Sequence, residues 1–426
     1  VVVGKKTRLA LGLVLVAVPE VVMAQGVPRG EAGRGTTVLN RAREDFDPVG
    51  VRLGAFRLNA AADLGIGYDD NLFGTRRNRT ADGYAMLGTG GEIRSDWSRH
   101  AVGASARIEQ RRYFEETNQD WTDYAVGLFG RYDVNAQTNF EARYNRVQEH
   151  LDTVSVDVQQ SGAGRPVPYV FDEVQLQGTT RFNRLGVTAI GNYRTYAFDN
   201  VDVGGTPAAG TADAGQFSRF DFDSWIGALG VSYEIGPGRF VNVIGRYQDI
   251  RYDQAAQSGR DSKTYEGLVG FTYDFDGVWQ ARVAAGYRQR DYEGPGIKNL
   301  SGPAFEGEVT YQPTLLTTLR LSGRRTIEES IRNNAVSFTR TQAAFNVDHE
   351  YLRNVILGAE LGVDRREYDS PNEQATDGFA ILSARWLINR RLSLVGSYQH
   401  VRRLDASAGV EEYDRNLVQV RLRIAL

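Results

Sequence analysis

The chain has no cysteine in 426 residues, and of its 50 basic residues only Lys5, Lys6, Lys263 and Lys298 are lysine. The first absence excludes a disulfide scaffold and a thiolate metal site, but it leaves the compartment open, because many exported proteins also lack cysteine. Proline is scarce at 11 residues, against 47 glycines and 21 tyrosines. That balance fits an all-β chain of strands and tight turns. A formal charge of −3 lacks the basic excess of a nucleic-acid binder, so no nucleic-acid partner is expected. His100, His150, His349 and His400 sit on separate segments without metal-ligand spacing. No metal and no cofactor are expected, and no Ser/His/Asp constellation assembles from the pattern.

Long apolar runs are missing as well, with one exception at the start. "LALGLVLVAV" (9–18) follows Lys5, Lys6 and Arg8 and precedes "VVMA" (21–24). This is the layout of an export signal, and the run is about half of the ~20 residues a spanning helix needs. The expected division is a signal peptide over 1–24, a short periplasmic segment over 25–52 and a single β-domain over 53–426.

What replaces helical periodicity is a two-residue alternation, repeated with turn residues between. "VNVIGRY" (241–247) sets Val241, Val243 and Tyr247 against Asn242 and Arg246. "QARVAAGYRQR" (280–290) sets Ala281, Val283, Ala285 and Tyr287 against Arg282, Arg288 and Arg290. A soluble sandwich would also alternate, so the connections decide. Short links at 96–100, 133–138, 182–185, 234–239, 274–278, 312–315, 351–354 and 388–391 take turns with long polar ones at 70–82, 149–171, 198–220, 253–262, 292–301, 327–335, 369–377 and 405–414. Short periplasmic turns and long extracellular loops are the signature of an outer-membrane barrel, here of about eighteen strands. The final stretch "NLVQVRLRIAL" (416–426) alternates to its last residue. It is then the closing strand, since an unpaired edge is not tolerated in lipid.

In such a barrel the oily face meets lipid and the polar face meets the lumen. The residues expected to line the channel are Arg107, Arg131, Arg143, Arg181, Arg194, Arg246, Arg282, Arg288, Arg320, Arg324, Arg340, Glu360, Arg385, Arg421 and Arg423. Acidic neighbours on the same face, among them Glu173, Glu266, Glu306 and Glu308, leave two readings open. One is a salt-bridge lattice that stiffens the wall; the other is a cationic track for an anionic solute. "YDDN" (68–71) reads as a bend into the first loop in preference to a Ca²⁺ site, and "GTGGE" (88–92) as close packing of neighbouring strands in preference to phosphate binding.

Just before the barrel, Asp47, Pro48, Gly50, Arg52, Gly54 and Phe56 are followed by Tyr68, Asp70 and Asn71. These residues resemble the opening of the Putative beta-barrel porin 2 family of Gram-negative outer membranes, with its D-P-x-G-x-R-x-G-x-F core and Y-x-D-N element. The family's prolines near the arginines are replaced by Ala42 and Glu44. The resemblance implies an outer-membrane porin, and, since members often accompany exopolysaccharide export systems, a channel for such a polymer. Implied partners are outer-membrane lipid, the barrel insertion machinery and a polysaccharide export protein, with polysaccharide or small solutes as cargo. Alternatives are a general diffusion porin and, further off, a rim-site enzyme or a loop-mediated adhesin.

Overall fold

A computed structural model describes residues 36–202, 215–274 and 277–426. The expected export signal, residues 25–35, the middle of the 198–220 loop and part of the 274–278 turn lie outside the described residues. A two-stranded start, β1 (Val51–Leu53) folding onto the head of β2 (Phe56–Asp69), leads into β3 (Asp82–Ser95), β4 (Ala101–Tyr113), β5 (Trp121–Asp133), β6 (Asn139–Leu151), β7 (Val167–Phe182) and β8 (Leu185–Phe198). The wall continues through β9 (Phe222–Gly236), β10 (Arg239–Tyr252), β11 (Ser262–Asp274), β12 (Trp279–Tyr292), β13 (Leu300–Thr314) and β14 (Thr317–Glu329). It is completed by β15 (Ser337–Leu352), β16 (Val355–Tyr368), β17 (Glu373–Leu387), β18 (Leu392–Ala406) and β19 (Asp414–Ala425).

Each of β2 to β18 pairs antiparallel with its successor, and β19 returns to pair with β2, from Leu417 opposite Asp69 to Ala425 opposite Ala61. The result is a closed barrel of eighteen strands, the number expected from the alternation. Barrel strands of 12 to 16 residues exceed the 9–11 needed to cross the hydrocarbon layer at a tilt. Their ends therefore stand in the interfaces.

The burial pattern inverts that of a soluble protein. Leu64, Ile66, Val243, Val269, Leu361 and Leu382 are more than half exposed on the outside, as are the aromatic Tyr68, Trp225, Tyr265 and Tyr287. Arg194, Arg290, Arg340, Asn192, Gln175 and Glu173 are buried within. On the last strand Val418, Val420 and Ile424 face out, whereas Gln419 and Arg421 are buried inside. This is the hydrophobic-out, polar-in order that lipid requires.

The loops differ from expectation in their margins. The link between β4 and β5, residues 114–120, belongs with the long set and is not conspicuous in sequence because "FEETNQD" is short and closed in by Tyr113 and Trp121. The 149–171 loop is shorter than its polarity suggests, since Glu149–Leu151 and Val167–Phe171 continue the β6–β7 ladder. The 369–377 loop shrinks to a turn before Glu373, and β14 runs on to Glu329.

The YDDN element staples the seam where the barrel closes. Asp69 accepts from Arg415 Nε and Nη2 at 2.9 and 2.5 Å; Asp70 accepts from the Asn416 backbone and side chain at 2.6 and 2.7 Å; Asn71 donates to the Asp414 carbonyl at 2.8 Å. The glycines of 88–92 serve close approach of strands. A Cβ on Gly90 would sit 3.1 Å from the Ala106 carbonyl.

Candidate functional site: the lumen and its two mouths

Alternation alone sends every second residue inward, and the ladder registers place the wall charges accordingly. Arg246, on β10, meets Glu266 of β11 at 2.5 Å and Glu306 of β13 at 2.7 Å; Arg288, on β12, reaches the other Glu266 oxygen from Nε at 2.6 Å. Arg194 donates from Nε to Glu173 at 2.7 Å, Arg143 pairs with Glu141 at 3.0 Å, Arg131 with Asp133 at 3.1 Å, and Arg181 with Glu234. Across the seam Arg421 lies 3.2 Å from Glu109 and Arg423 2.7 Å from Asp63. Arg107, more than half exposed to the open lumen, approaches Glu149 at 3.6 Å, and Arg320 approaches Glu308 at 3.8 Å. Arg324 donates to Gln342 at 3.1 Å. Arg282 stands between Thr272 and Glu308, Glu360 between Asn346 and Ile381, and Arg385 between Ile356 and Val395, all on the inner face.

A buried belt below the extracellular rim joins the expected Arg340 to inner arginines that the sequence-derived candidates lacked, Arg290, Arg366, Arg403 and Arg415. Arg340 and Arg366 share Asp364 at 2.5 and 2.9 Å, Arg366 reaches Asp377 at 3.3 Å, and Arg403 donates to Asp377 at 2.8 Å. Arg290 pairs with Glu329, which also accepts from the Tyr252 hydroxyl at 2.9 Å. The signal was available. Arg366, Arg403 and Arg415 have the same strand parity as their lumen-facing neighbours, but lie where strand gives way to long loop.

That belt holds a lid. The β6–β7 connection folds back into the barrel as a short helix, α1 (Val156–Ser161), with Ser155 at its N-cap and Gly162 closing it at φ +75°. The positive φ explains the glycine. Val156 and Val158 are almost fully buried. Val158, with Ala163, packs among Phe217, Phe220, Phe222 and Ile331; Val156 packs among Ala335, Phe338, Tyr368 and Val410. The lid therefore spans the mouth and touches opposite walls.

Polar contacts fix its position. Asp157 accepts from the Tyr368 hydroxyl at 2.6 Å and the Ile331 backbone at 3.2 Å. Arg403 donates to Gln159 at 2.8 Å and to the Val154 carbonyl at 3.1 Å, while Arg415 reaches Asp152 at 3.2 Å. Burial pushes the Asp152 carboxyl up, but Arg415 and the Val154 N–H outweigh it and hold the group below its usual range. Elsewhere on the rim, burial drives the Asp221 carboxyl up to about 6, with Asp253 and Asp199 adding to the effect against a hydrogen bond from the Phe198 N–H.

The opposite mouth holds residues 36–50. Val38 is buried and its N–H donates to Thr318 Oγ1 at 2.9 Å; Arg43, 3% exposed, donates to Glu350 at 2.6 Å and to the Val38 carbonyl at 3.0 Å. Arg390 donates to the Glu44 carbonyl at 2.8 Å, and the Gly50 N–H to the Leu426 carbonyl at 3.2 Å. The tail thus sits in the periplasmic mouth, on β14 and β15.

Beneath the lid lies a chamber of about 270 Å³. One side is aromatic, from Tyr169, Tyr196, Phe198 and Phe222; the facing side is charged, from Arg246, Glu266, Arg288, Arg290, Glu328 and Arg340.

An eighteen-stranded barrel with an oily exterior, a charged interior, short turns at one end and long loops at the other is an outer-membrane barrel of the porin type. The family model described as Putative beta-barrel porin 2 matches residues 44–426, and the chain belongs to that family. No curated protein matches it. Similar solved structures include OccK9 (OpdG) of Pseudomonas aeruginosa, at 12% identity over 87% of this chain and 98% of that one, with a TM-score of 0.45. OccAB4 of Acinetobacter baumannii is 10% identical over 87% and 98%, with a TM-score of 0.46. The FrpB iron transporter of Neisseria meningitidis is 9% identical over 87% and 81%, with a TM-score of 0.50. At these identities the likeness is one of fold.

Proposed function

We propose that the barrel is a passive outer-membrane channel through which a secreted polysaccharide leaves the cell. The observation that carries this reading is the inner wall, where guanidinium and carboxylate groups alternate around the barrel and some pairs stand open to the lumen, as in Arg107–Glu149, Arg143–Glu141 and Arg320–Glu308. A hydroxyl can accept from the first and donate to the second, so a hydroxyl-rich polymer finds many weak contacts and no single strong one. Conduction needs that weakness, because cargo must be released as readily as it enters. Arg107, Arg131, Arg143, Arg181, Arg194, Arg246, Arg282, Arg288, Arg320, Arg324, Arg340, Glu360, Arg385, Arg421 and Arg423 line the path in this reading. Arginine suits the task through its permanent charge and planar fork. A polysaccharide export protein would meet the barrel at its periplasmic mouth, on the short turns or the tail.

A second reading draws on the same pairing. A wall whose charges offset one another sorts solutes by size more than by sign, as a general diffusion porin does. The two separate on one experiment. Deleting the gene in a strain without a paralogue should abolish surface polysaccharide while small-solute uptake is unchanged. Normal polysaccharide output in that strain rejects export, and slowed uptake of small sugars supports diffusion.

A further inference from the structure

The chamber under the lid has two unlike sides. The aromatic side is continuous across four strands. Tyr169 lies 5.6 Å from Phe198, Phe171 5.5 Å from Tyr196, Tyr196 4.6 Å from Phe222, and Phe222 5.5 Å from Tyr252, measured between ring centres. All six rings project inward, as the registers Tyr169–Phe198, Phe171–Tyr196, Tyr196–Phe222 and Phe222–Tyr252 show. A lumen that only conducted ions would have no use for a ladder of flat apolar surfaces on its inner wall. The lid accounts for part of it, since Val158 and Ala163 rest against Phe222 and its neighbours. The chamber, however, continues below the lid past Tyr169, Tyr196 and Phe222 to Ser224, Gln248 and Thr264.

The opposite side carries donors and acceptors together. Arg290 donates to Thr264 at 2.8 Å as well as pairing with Glu329, Arg246 and Arg288 share Glu266, and Arg340 lies 3.3 Å from one Glu328 oxygen. The other Glu328 oxygen is buried and has no hydrogen-bond partner, so a donor is wanted there. A dense anion is disfavoured, because Glu266, Glu306, Glu328 and Glu329 would repel it. A purely apolar guest is disfavoured, because it would strand those carboxylates. The guest that satisfies both sides has a flat C–H face and a rim of hydroxyl groups.

We propose that this chamber is a sugar-binding subsite, in which a pyranose ring stacks on the Tyr196–Phe222 face and directs its hydroxyls to the Arg246, Arg288 and Glu328 side. It rests on the polysaccharide reading above and gives that reading a place in the lumen. At about 270 Å³ the chamber stands at the small end of ligand pockets, which suits one or two sugar rings. The lid caps the subsite, so a polymer leaving the cell meets the aromatic ladder first and displaces α1 afterwards. Because the same rings contact both the lid and the sugar, the stacked sugar takes over the contacts that the lid gives up.

The experiment is calorimetric titration of the full barrel in detergent with a neutral glucose hexasaccharide and with a hexasaccharide of uronic acid. The wild-type barrel should bind the neutral sugar weakly and at least as well as the acidic one. Phe222→Leu and Tyr196→Leu keep apolar bulk against the lid but remove the flat face. Each should weaken binding about three- to tenfold, and Phe222→Tyr should restore it. Heat-modifiable migration on gels confirms that each variant has folded. Phe240→Leu, on the inner face near the periplasmic turns, should change nothing. Equal affinity in wild type and both leucine variants overturns the subsite, as does the absence of binding by either sugar. The export reading is judged apart from this, on the polysaccharide output of the deletion strain, so either idea can fail alone.

Discussion

At the extracellular mouth α1 buries Val156 and Val158 between Phe217, Phe220 and Ile331 on one side and Phe338 and Tyr368 on the other. At the periplasmic mouth the tail holds on through one buried carboxylate, Glu350, which pairs closely with Arg43 at 2.6 Å and more loosely with Arg41 at 3.6 Å, and through a few hydrogen bonds such as Val38 to Thr318. Apolar closure is spread over many small contacts and is insensitive to salt, so no single substitution of like size undoes it. Closure by an ion pair is concentrated. Removing Arg43 strips buried Glu350 of its close partner and leaves it only the longer contact to Arg41, so the cost should approach the roughly 3–5 kcal/mol of a broken buried pair. The two ends should therefore fail differently: the lid under a polar intrusion, the tail under a single charge deletion.

The largest effect is expected from Val158→Asp, which puts an unpaired carboxylate among Phe217, Phe220 and Ile331. Burying that charge costs several kcal/mol on top of the lost Val158 packing, so the lid should detach. Single-channel conductance should rise several-fold while the barrel, whose ladder α1 does not join, keeps its heat-modifiable migration. Next comes Arg43→Ala. It should free the tail, and a cysteine at Thr37, buried in the native mouth, should react quickly with a thiol reagent supplied from the periplasmic side. Adding Glu350→Gln to Arg43→Ala should cost little more, because the two act as one unit. Val158→Asp should leave labelling at residue 37 unchanged if the ends are independent.

Acidity sharpens the comparison within the lid itself. Asp152 is held below its usual range, so the folded lid binds its proton less readily than the unfolded chain. Its contribution is present above the ordinary carboxylate value of 3.8 and is lost as pH falls below it. The Val154 N–H, which donates to Asp152 at 3.0 Å, should then lose protection from hydrogen exchange after correction for the intrinsic rate. Asp221 has the opposite sign. Its folded value of about 6 lies above 3.8, so the folded rim binds the proton more tightly and loses stability as pH rises between those values. The smallest expected effect is a fall in protection of the Phe198 N–H, which donates to Asp221, over that same interval.

The wall of the barrel was legible because its rule is local. A residue's face follows from parity, as in Arg282 and Arg288 set against Val283 and Tyr287, and closure follows from lipid's intolerance of free edges. The lid was not legible. "VDVQQS" (156–161) is too short to show a helical period, and what draws it inward is apolar surface at Phe217, Ile331 and Tyr368, each distant in sequence. The docking of the tail rests on Arg43 meeting Glu350, 307 residues away, and no spacing rule connects them. The buried belt lies between these cases. Arg366 and Arg403 carry the right parity, yet they stand where strand gives way to a long loop, and polarity near a loop reads as solvent exposure. The YDDN element was visible as a motif, but its work at the β19–β2 seam depends on Arg415 and Asn416 at the far end of the chain.

The central claim is that a continuous aqueous lumen runs through this barrel and that α1 obstructs it. The direct measurement is the planar-bilayer conductance of the wild-type chain beside one in which residues 153–165 are replaced by a short glycine–serine linker. The account predicts a several-fold larger, salt-proportional conductance in the trimmed barrel, with heat-modifiable folding retained in both. Equal conductance in the two would contradict the claim that the lid obstructs the lumen, and no conductance in either would contradict the lumen itself.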